Sequence, residues 1–343
     1  MKQEQFMRAT MLVAFLCIAV VASAREWHIN NKQGTLAHFA DINAAMASAE
    51  VADGDTLYLG AGCVINSNQT VSKRVTVIGT GWGYTDSPAA PAQIDGDVII
   101  EADGAKLLSL YVRGNAYVRA SNVTLERCFI NTSIYQDVSN TVDNVKILSC
   151  WTGLIHGKSD KSTKWEIRNT YVDASYVMGA IYNLYNPVIE NNFLSNNRNT
   201  YILRDCKYSI VKNNIIFANG TTNGIIVSDC ENSVITYNVL PLSPDYESNY
   251  PGNVFINSMN HGVVIKNKGG AARASTEHFQ LIEGSPAIGA GEGGIDCGVL
   301  AGVYKFVPYG RPRNIPVLKE AVVPSMPTDG KVKVSFKIEN QNE

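Results

Sequence analysis

Six segments between residues 122 and 240 are copies of one pattern, and they constrain the fold more than any other feature of the chain. They read NVTLERCFI (122–130), NVKILSCWT (144–152), KWEIRNTYV (164–172), NPVIENNFL (186–194), YSIVKNNII (208–216) and NSVITYNVL (232–240). Their fourth residues, Leu125, Ile147, Ile167, Ile189, Val211 and Ile235, recur at intervals of 22, 20, 22, 22 and 24 residues. A β-branched, turn-rich repeat of this length marks a solenoid. Apolar and polar residues alternate within each copy, the period of a strand with one buried face. Asn, Ser, Asp and Gly break the runs into short pieces and supply turns. A single coil cannot bury its apolar face, so its neighbours must do so, with parallel strands stacked about 4.8 Å apart.

Stacking puts like positions into columns, and the columns match chemically. The seventh holds Cys128, Cys150, Thr170, Asn192, Asn214 and Asn238; the eighth holds Phe129, Trp151, Tyr171, Phe193, Ile215 and Val239. Three Asn in register predict a ladder in which each buried side-chain amide bonds the amide of the next coil, since buried amides need partners. The eighth column predicts an aromatic stack that turns aliphatic. Both columns are read as structural.

The repeat I-x-x-N-x-[IFLV], as in IENNFL and VKNNII, resembles that of the right-handed parallel β-helix superfamily with the pectin-lyase-like fold. The resemblance extends over nearly the whole chain after its leader. The run SPAIGAG…DCG (285–298) with PYGRPRNIP (308–316) looks most like uncharacterised secreted β-helix proteins of Bacteroidetes. The expected fold is therefore all-β: a single-stranded right-handed parallel β-helix solenoid with a short N-terminal capping helix and a C-terminal strand appendage.

In order along the chain, residues 1–24 read as a secretory signal, with Lys2 and Arg8 before the apolar run 11–21 and Ala22-Ser23-Ala24 as the cleavage site. The run is too short to span a bilayer, so no membrane span is expected in the mature chain. Residues 25–302 read as the solenoid and 303–343 as a tail packed on it. Asp41 is a plausible N-cap for a helix with Ile42, Ala45, Met46 and Ala49 on one face, which would cover the open first coil. Asp53 and Asp55, in DGDTLYLGAG, read as turn carboxylates. The Gly-rich VTVIGTGWG (75–83) lacks a following Lys-Ser/Thr and a helix pattern, so it is no phosphate loop. PLSPDYESNYPG (241–252) reads as a protruding loop. KVKVSFKIE (331–339) alternates as a half-buried strand, expected to fold back on the last coils or the solenoid flank.

The chain carries 29 Lys and Arg against 31 Asp and Glu, a formal net charge of −2, which gives no reason to expect nucleic-acid binding. Six cysteines follow the leader: Cys63, Cys128, Cys150, Cys206, Cys230 and Cys297. Cys128/Cys150 and Cys206/Cys230 fall in register on neighbouring coils, at a separation a disulfide tolerates. Their side chains point the same way, which favours buried free thiols. No spacing resembles a zinc site.

Enzymes of the resembling superfamily bind polysaccharide along one parallel sheet. Here that sheet corresponds to LIHG (154–157), AIYN (180–183), ILRD (202–205) and IVSD (226–229). With Ile181, Leu203 and Val227 inward, Tyr182, Arg204 and Ser228 point outward in one column, preceded by His156. Arg204 would hold a uronate carboxylate, Tyr182 would stack on a sugar ring, and His156 is the one candidate base. Asp205 and Asp229 are in register and serve either as substrate ligands or as turn caps. The lyase and polygalacturonase signatures (a DH pair, a DD pair, Arg-x-Pro-x-x-Arg) are missing. The leading expectation is a secreted, non-enzymatic module that binds glycan or a surface partner and holds no cofactor. The alternative is a lyase or glycoside hydrolase on acidic polysaccharide, for which the resemblance implies calcium in the lyase case.

Overall fold

The computed structural model describes residues 24–83, 90–175, 179–197, 201–218, 226–242, 246–256, 261–266, 279–312, 317–322 and 335–339. Residues 1–23, which include the expected signal, and residues 331–334 of the expected tail strand lie outside them.

The described chain is a parallel β-solenoid. Its first face is a ten-stranded parallel sheet from Glu26–Ile29 to Val234–Thr236, with neighbours in chain order. The six fourth-position residues pair in register, Leu125 with Ile147, Ile167, Ile189, Val211 and Ile235 in turn. The column continues backward through Leu107, Val77 and Leu57 to Trp27, so the irregular early coils keep the same register. All of these side chains are buried. The other two faces merge into one 17-stranded sheet, because the long strands Phe129–Tyr135 and Trp151–Thr163 bend from the second face onto the third.

Two further columns set the corners. The first repeat position (Asn122, Asn144, Lys164, Asn186, Tyr208, Asn232) and the sixth (Arg127, Ser149, Asn169, Asn191, Asn213, Tyr237) all have φ between 51 and 60°. Left-handed backbone is costly for most L-residues and cheapest, after Gly, for Asn. That preference explains why Asn recurs at the corners of the repeat.

The ladder forms as the seventh column predicts. Asn192 Nδ2 donates to Asn214 Oδ1 at 3.0 Å, and Asn214 Nδ2 to Asn238 Oδ1 at 2.8 Å. It extends one rung further, to Asn253 at 2.9 Å, a residue outside the six copies. Toward the N-terminus Thr170 and the thiols of Cys150 and Cys128 take over, bonding main-chain carbonyls and amides. The six described cysteines are free. Contact with Cys230, followed by burial, pushes the Cys206 thiol up.

The helix Ile42–Ala47 covers the first coils with Ile42, Ala45 and Met46 buried and Asp41 accepting from Ala44 N at 2.7 Å. Ala49 lies beyond its end and is exposed. Asp55 accepts from Trp27 Nε1, Ala52 N and Arg25 N; burial opposes its charge, but these bonds hold its carboxyl below the usual range.

The segment 279–312 contains no strand of its own and runs back along the solenoid. It meets the sixth-position column rung by rung. Gly298 N donates to Asn213 O, Asn169 Nδ2 to Val299 O, Ser149 Oγ to Lys305 O and Arg127 Nη1 to Arg311 O. Phe279, Val299 and Phe306 thereby join the outward rings Phe129, Trp151, Tyr171 and Phe193 in a second buried apolar cluster. At the tail, Ser335–Glu339 pairs antiparallel with Val317–Val322 as a separate two-stranded sheet.

Candidate functional site

Alternation on the third face points one residue of each strand inward. Ile134, Ile155, Ile181, Leu203 and Val227 are the inward set, and all are buried. The residues that follow them form a single outward row. Tyr117 pairs with Tyr135, Tyr135 with His156, His156 with Tyr182, Tyr182 with Arg204 and Arg204 with Ser228. Ring centroids along it are 4.5 Å (Tyr117–Tyr135), 6.1 Å (Tyr135–His156) and 4.1 Å (His156–Tyr182) apart.

The row contains the three residues expected there, but not as expected. Tyr182 lies outside the solenoid core yet is only 6% exposed. The expectation that it offers an open ring face is corrected: His156 stacks on it from one coil, and Arg204 adjoins it on the next. Arg204 is 29% exposed, its guanidinium 5.1 Å from the Tyr201 ring centre and 3.7 Å from Asp205. Asp205 and Asp229 have φ of 49 and 55°, and Asp205 lies level with Asn183, which is also left-handed. Asp229 also accepts from Ser228 Oγ at 2.7 Å. Their geometry is that of turn residues.

His156 is half-buried, and Asn183 Nδ2 lies 3.3 Å from its Nε2. Burial, and then the nearby Lys158 charge, lower its pKa below the ordinary value, so the ring is neutral at neutral pH. Among the described residues no three His, Cys, Asp or Glu side chains converge as a metal site, and Asp205 and Asp229 are engaged by Arg204 and Ser228.

Tyr117 and Tyr135 are additions to the expected site, as is a charged row two residues further on. Arg119 pairs with Glu101 at 2.9 Å and Asp137 at 2.7 Å, and Lys158 donates to Asp137 O at 2.8 Å. Arg119 beside Asp137 holds that carboxyl below its usual range. Burial and then Tyr117 push the Tyr135 phenol up, so it stays protonated as a hydrogen-bonding group. The signal was present in the sequence: AYVR (116–119), IYQD (134–137) and IHGK (155–158) share small-or-apolar, ring, spacer, charge.

The 241–252 loop holds a four-residue helix, Tyr246–Asn249. No described helix is long and apolar enough to cross a membrane. No protein-family model matches this chain, and no curated protein matches it. The fold and the row define a class, a parallel β-solenoid with a ring-lined outer face.

Proposed function

We propose that this chain is a secreted member of the pectin-lyase-like β-helix superfamily, allied to the Bacteroidetes proteins it resembles, and that it binds glycan without transforming it. The observation that carries the proposal is the unbroken outward row Tyr117–Tyr135–His156–Tyr182–Arg204. Coils recur about every 4.8 Å, close to the spacing of rings in an extended sugar chain. Tyr and His offer flat apolar faces with polar edges, which suits sugars. Because Tyr182 is covered, the part of the row left for a ligand is the half-exposed Tyr117, Tyr135 and His156, with Tyr182 as its support and Arg204 as the carboxylate ligand at one end.

Catalysis is the second reading, favoured by a neutral His156 beside cations. Elimination from a uronate needs the base and the carboxylate-neutralising cation at one sugar ring. His156 and Arg204 are two coils apart, about 10 Å along the stack, and Arg204 leans on Tyr201 and Asp205. That separation supports binding over elimination.

A glycan panel scored for both binding and products tests the proposal. Tyr135→Ala and Arg204→Ala are expected to weaken uronate-oligosaccharide binding about tenfold at low salt with folding intact. Unsaturated or shortened products that vanish in His156→Ala would replace binding by catalysis; equal affinity of all three proteins would move the site. Export is tested by sequencing the protein from its host, expected to begin at Arg25.

A further inference from the structure

We infer that the chain carries a second carbohydrate site, for a neutral oligosaccharide, at the corner where the third face turns into the first. A cleft of ≈ 330 Å³ there is lined by Ser159, Asp160, Leu184, Tyr185, Asp205 and Lys207. That volume is at the lower end of the range for small-ligand sites. Tyr185 forms one wall and is 37% exposed; Tyr208 on the next coil is 46% exposed, with ring centres 5.0 Å apart. Two open phenol rings on successive coils, beside a cleft that joins the apolar Leu184 and Tyr185 to Ser159, Asp160, Asp205 and Lys207, are the elements of a sugar subsite: apolar faces for the C–H side of a pyranose and donors and acceptors for its hydroxyls.

Two observations sharpen the assignment. Tyr208 occupies a left-handed corner position, φ 55°, that four of the six coils fill with Asn. A bulky ring is a poor choice for that backbone, and strained positions are kept where a side chain is needed. Asn serves this corner on four other coils, so the backbone position does not itself call for a ring. The charges at the cleft define the ligand. Asp160 pairs with Lys161 at 3.8 Å, Asp205 with Arg204 at 3.7 Å and Lys207 with Glu231 at 3.2 Å. Each charge has an opposite partner, so neither a uronate carboxylate nor an amino-sugar ammonium finds an uncompensated counter-charge. A hydroxyl-rich neutral sugar meets hydrogen-bonding groups on one side and the apolar Leu184 and Tyr185 on the other, with no unpaired charge to satisfy. The cleft adjoins the row through Asp205, which pairs with Arg204, but its two rings, Tyr185 and Tyr208, are not members of the row.

The test is calorimetry and saturation-transfer NMR on the full chain with cello-, laminari- and mannohexaose, and with hexamers of galacturonate and glucosamine as charged counterparts. At least one neutral hexaose is expected to bind. Tyr208→Asn, which installs the residue other coils use, should leave the melting temperature unchanged or higher and weaken that binding about tenfold or more. Tyr185→Ala should weaken it likewise, whereas Tyr135→Ala on the third face should not. The proposal is overturned if no neutral hexaose binds at millimolar concentration or if only a charged hexamer binds. It also falls if both corner variants bind as wild type does.

Discussion

The Asn ladder gives the most demanding test of how this sequence holds its fold, through Asn214→Leu. The Asn214 side chain donates to Ile189 O (2.9 Å), Lys212 O (2.9 Å) and Asn238 Oδ1 (2.8 Å), and accepts from Asn192 N (2.8 Å) and Asn192 Nδ2 (3.0 Å). In the leucine variant, Asn192 Nδ2 keeps Ile167 O and Asn238 Oδ1 keeps Asn214 N. The Asn192 main-chain N–H loses its acceptor and is left buried, which costs about 1–3 kcal/mol. The remaining lost side-chain bonds add about 0.5–1.5 kcal/mol each. Four such bonds go, so the gross loss is about 3–9 kcal/mol; burial of the leucine offsets about 1.5–2 kcal/mol, leaving a net loss of about 1–7 kcal/mol. Urea unfolding with linear extrapolation measures it: for a slope of about 3 kcal/mol/M, the midpoint falls by roughly 0.3–2.3 M. Hydrogen exchange should also show the Asn192 amide losing protection. Cys150→Ala, in the same column but with weak thiol bonds, should cost under about 1 kcal/mol of hydrogen bonding. An unchanged midpoint and full Asn192 protection in Asn214→Leu would refute the ladder as a source of stability.

Three further outcomes follow from the same geometry. His156 binds its proton less tightly folded than unfolded, so stability is full above the ordinary histidine value of about 6.5 and falls as pH drops through it toward the lower folded value; melting temperature against pH should show this slope, and His156→Gln should flatten it. Alkylation of the unreduced, denatured mature chain should label Cys63, Cys128, Cys150, Cys206, Cys230 and Cys297 alike, and a protected pair in the mass spectrum would contradict the free thiols. Gly310 has φ 57°, and a methyl there would strike Trp82 and the Arg127 carbonyl; Gly310→Ala should therefore destabilise by about 1–3 kcal/mol or more, read as a lower melting temperature, and an unchanged one would mean the returning segment does not seat as described.

The columns were legible because a solenoid repeats its environment. Leu125, Ile147 and Ile189 meet the same neighbours, so composition at a fixed interval reports contact directly. The corner positions were less legible. Asn122, Asn144 and Asn186 declare left-handed backbone, but Lys164, Tyr208 and Arg127 hold it too, with φ of 52, 55 and 55°. There the stack overrides local preference. The covering of the second face was not legible at all: Phe129 and Trp151 point outward by alternation, and only the return of residues 279–312, more than a hundred positions away, buries them. Non-local pairing of this kind has no period to betray it.

The third face shows what alternation can and cannot decide. It settles direction, since Ile181 inward forces Tyr182 outward. It does not settle exposure, which depends on what stands on the adjacent coils at the same height. In a parallel stack those neighbours sit about 4.8 Å away on both sides, close enough for two large side chains to close over a third. His156 and Arg204 do so to Tyr182, at 6% exposure. Tyr208 stays open because it sits at a corner with Asn186 and Asn232 in its own column, although the Tyr185 ring packs beside it at 5.0 Å. An outward ring in a solenoid is therefore open to ligand when its column is otherwise small, and part of the wall when its column is large. On that criterion the Tyr185–Tyr208 corner is where this chain offers most aromatic surface to a partner, whereas Tyr117 and Tyr135, sharing a column with His156, stay half-exposed.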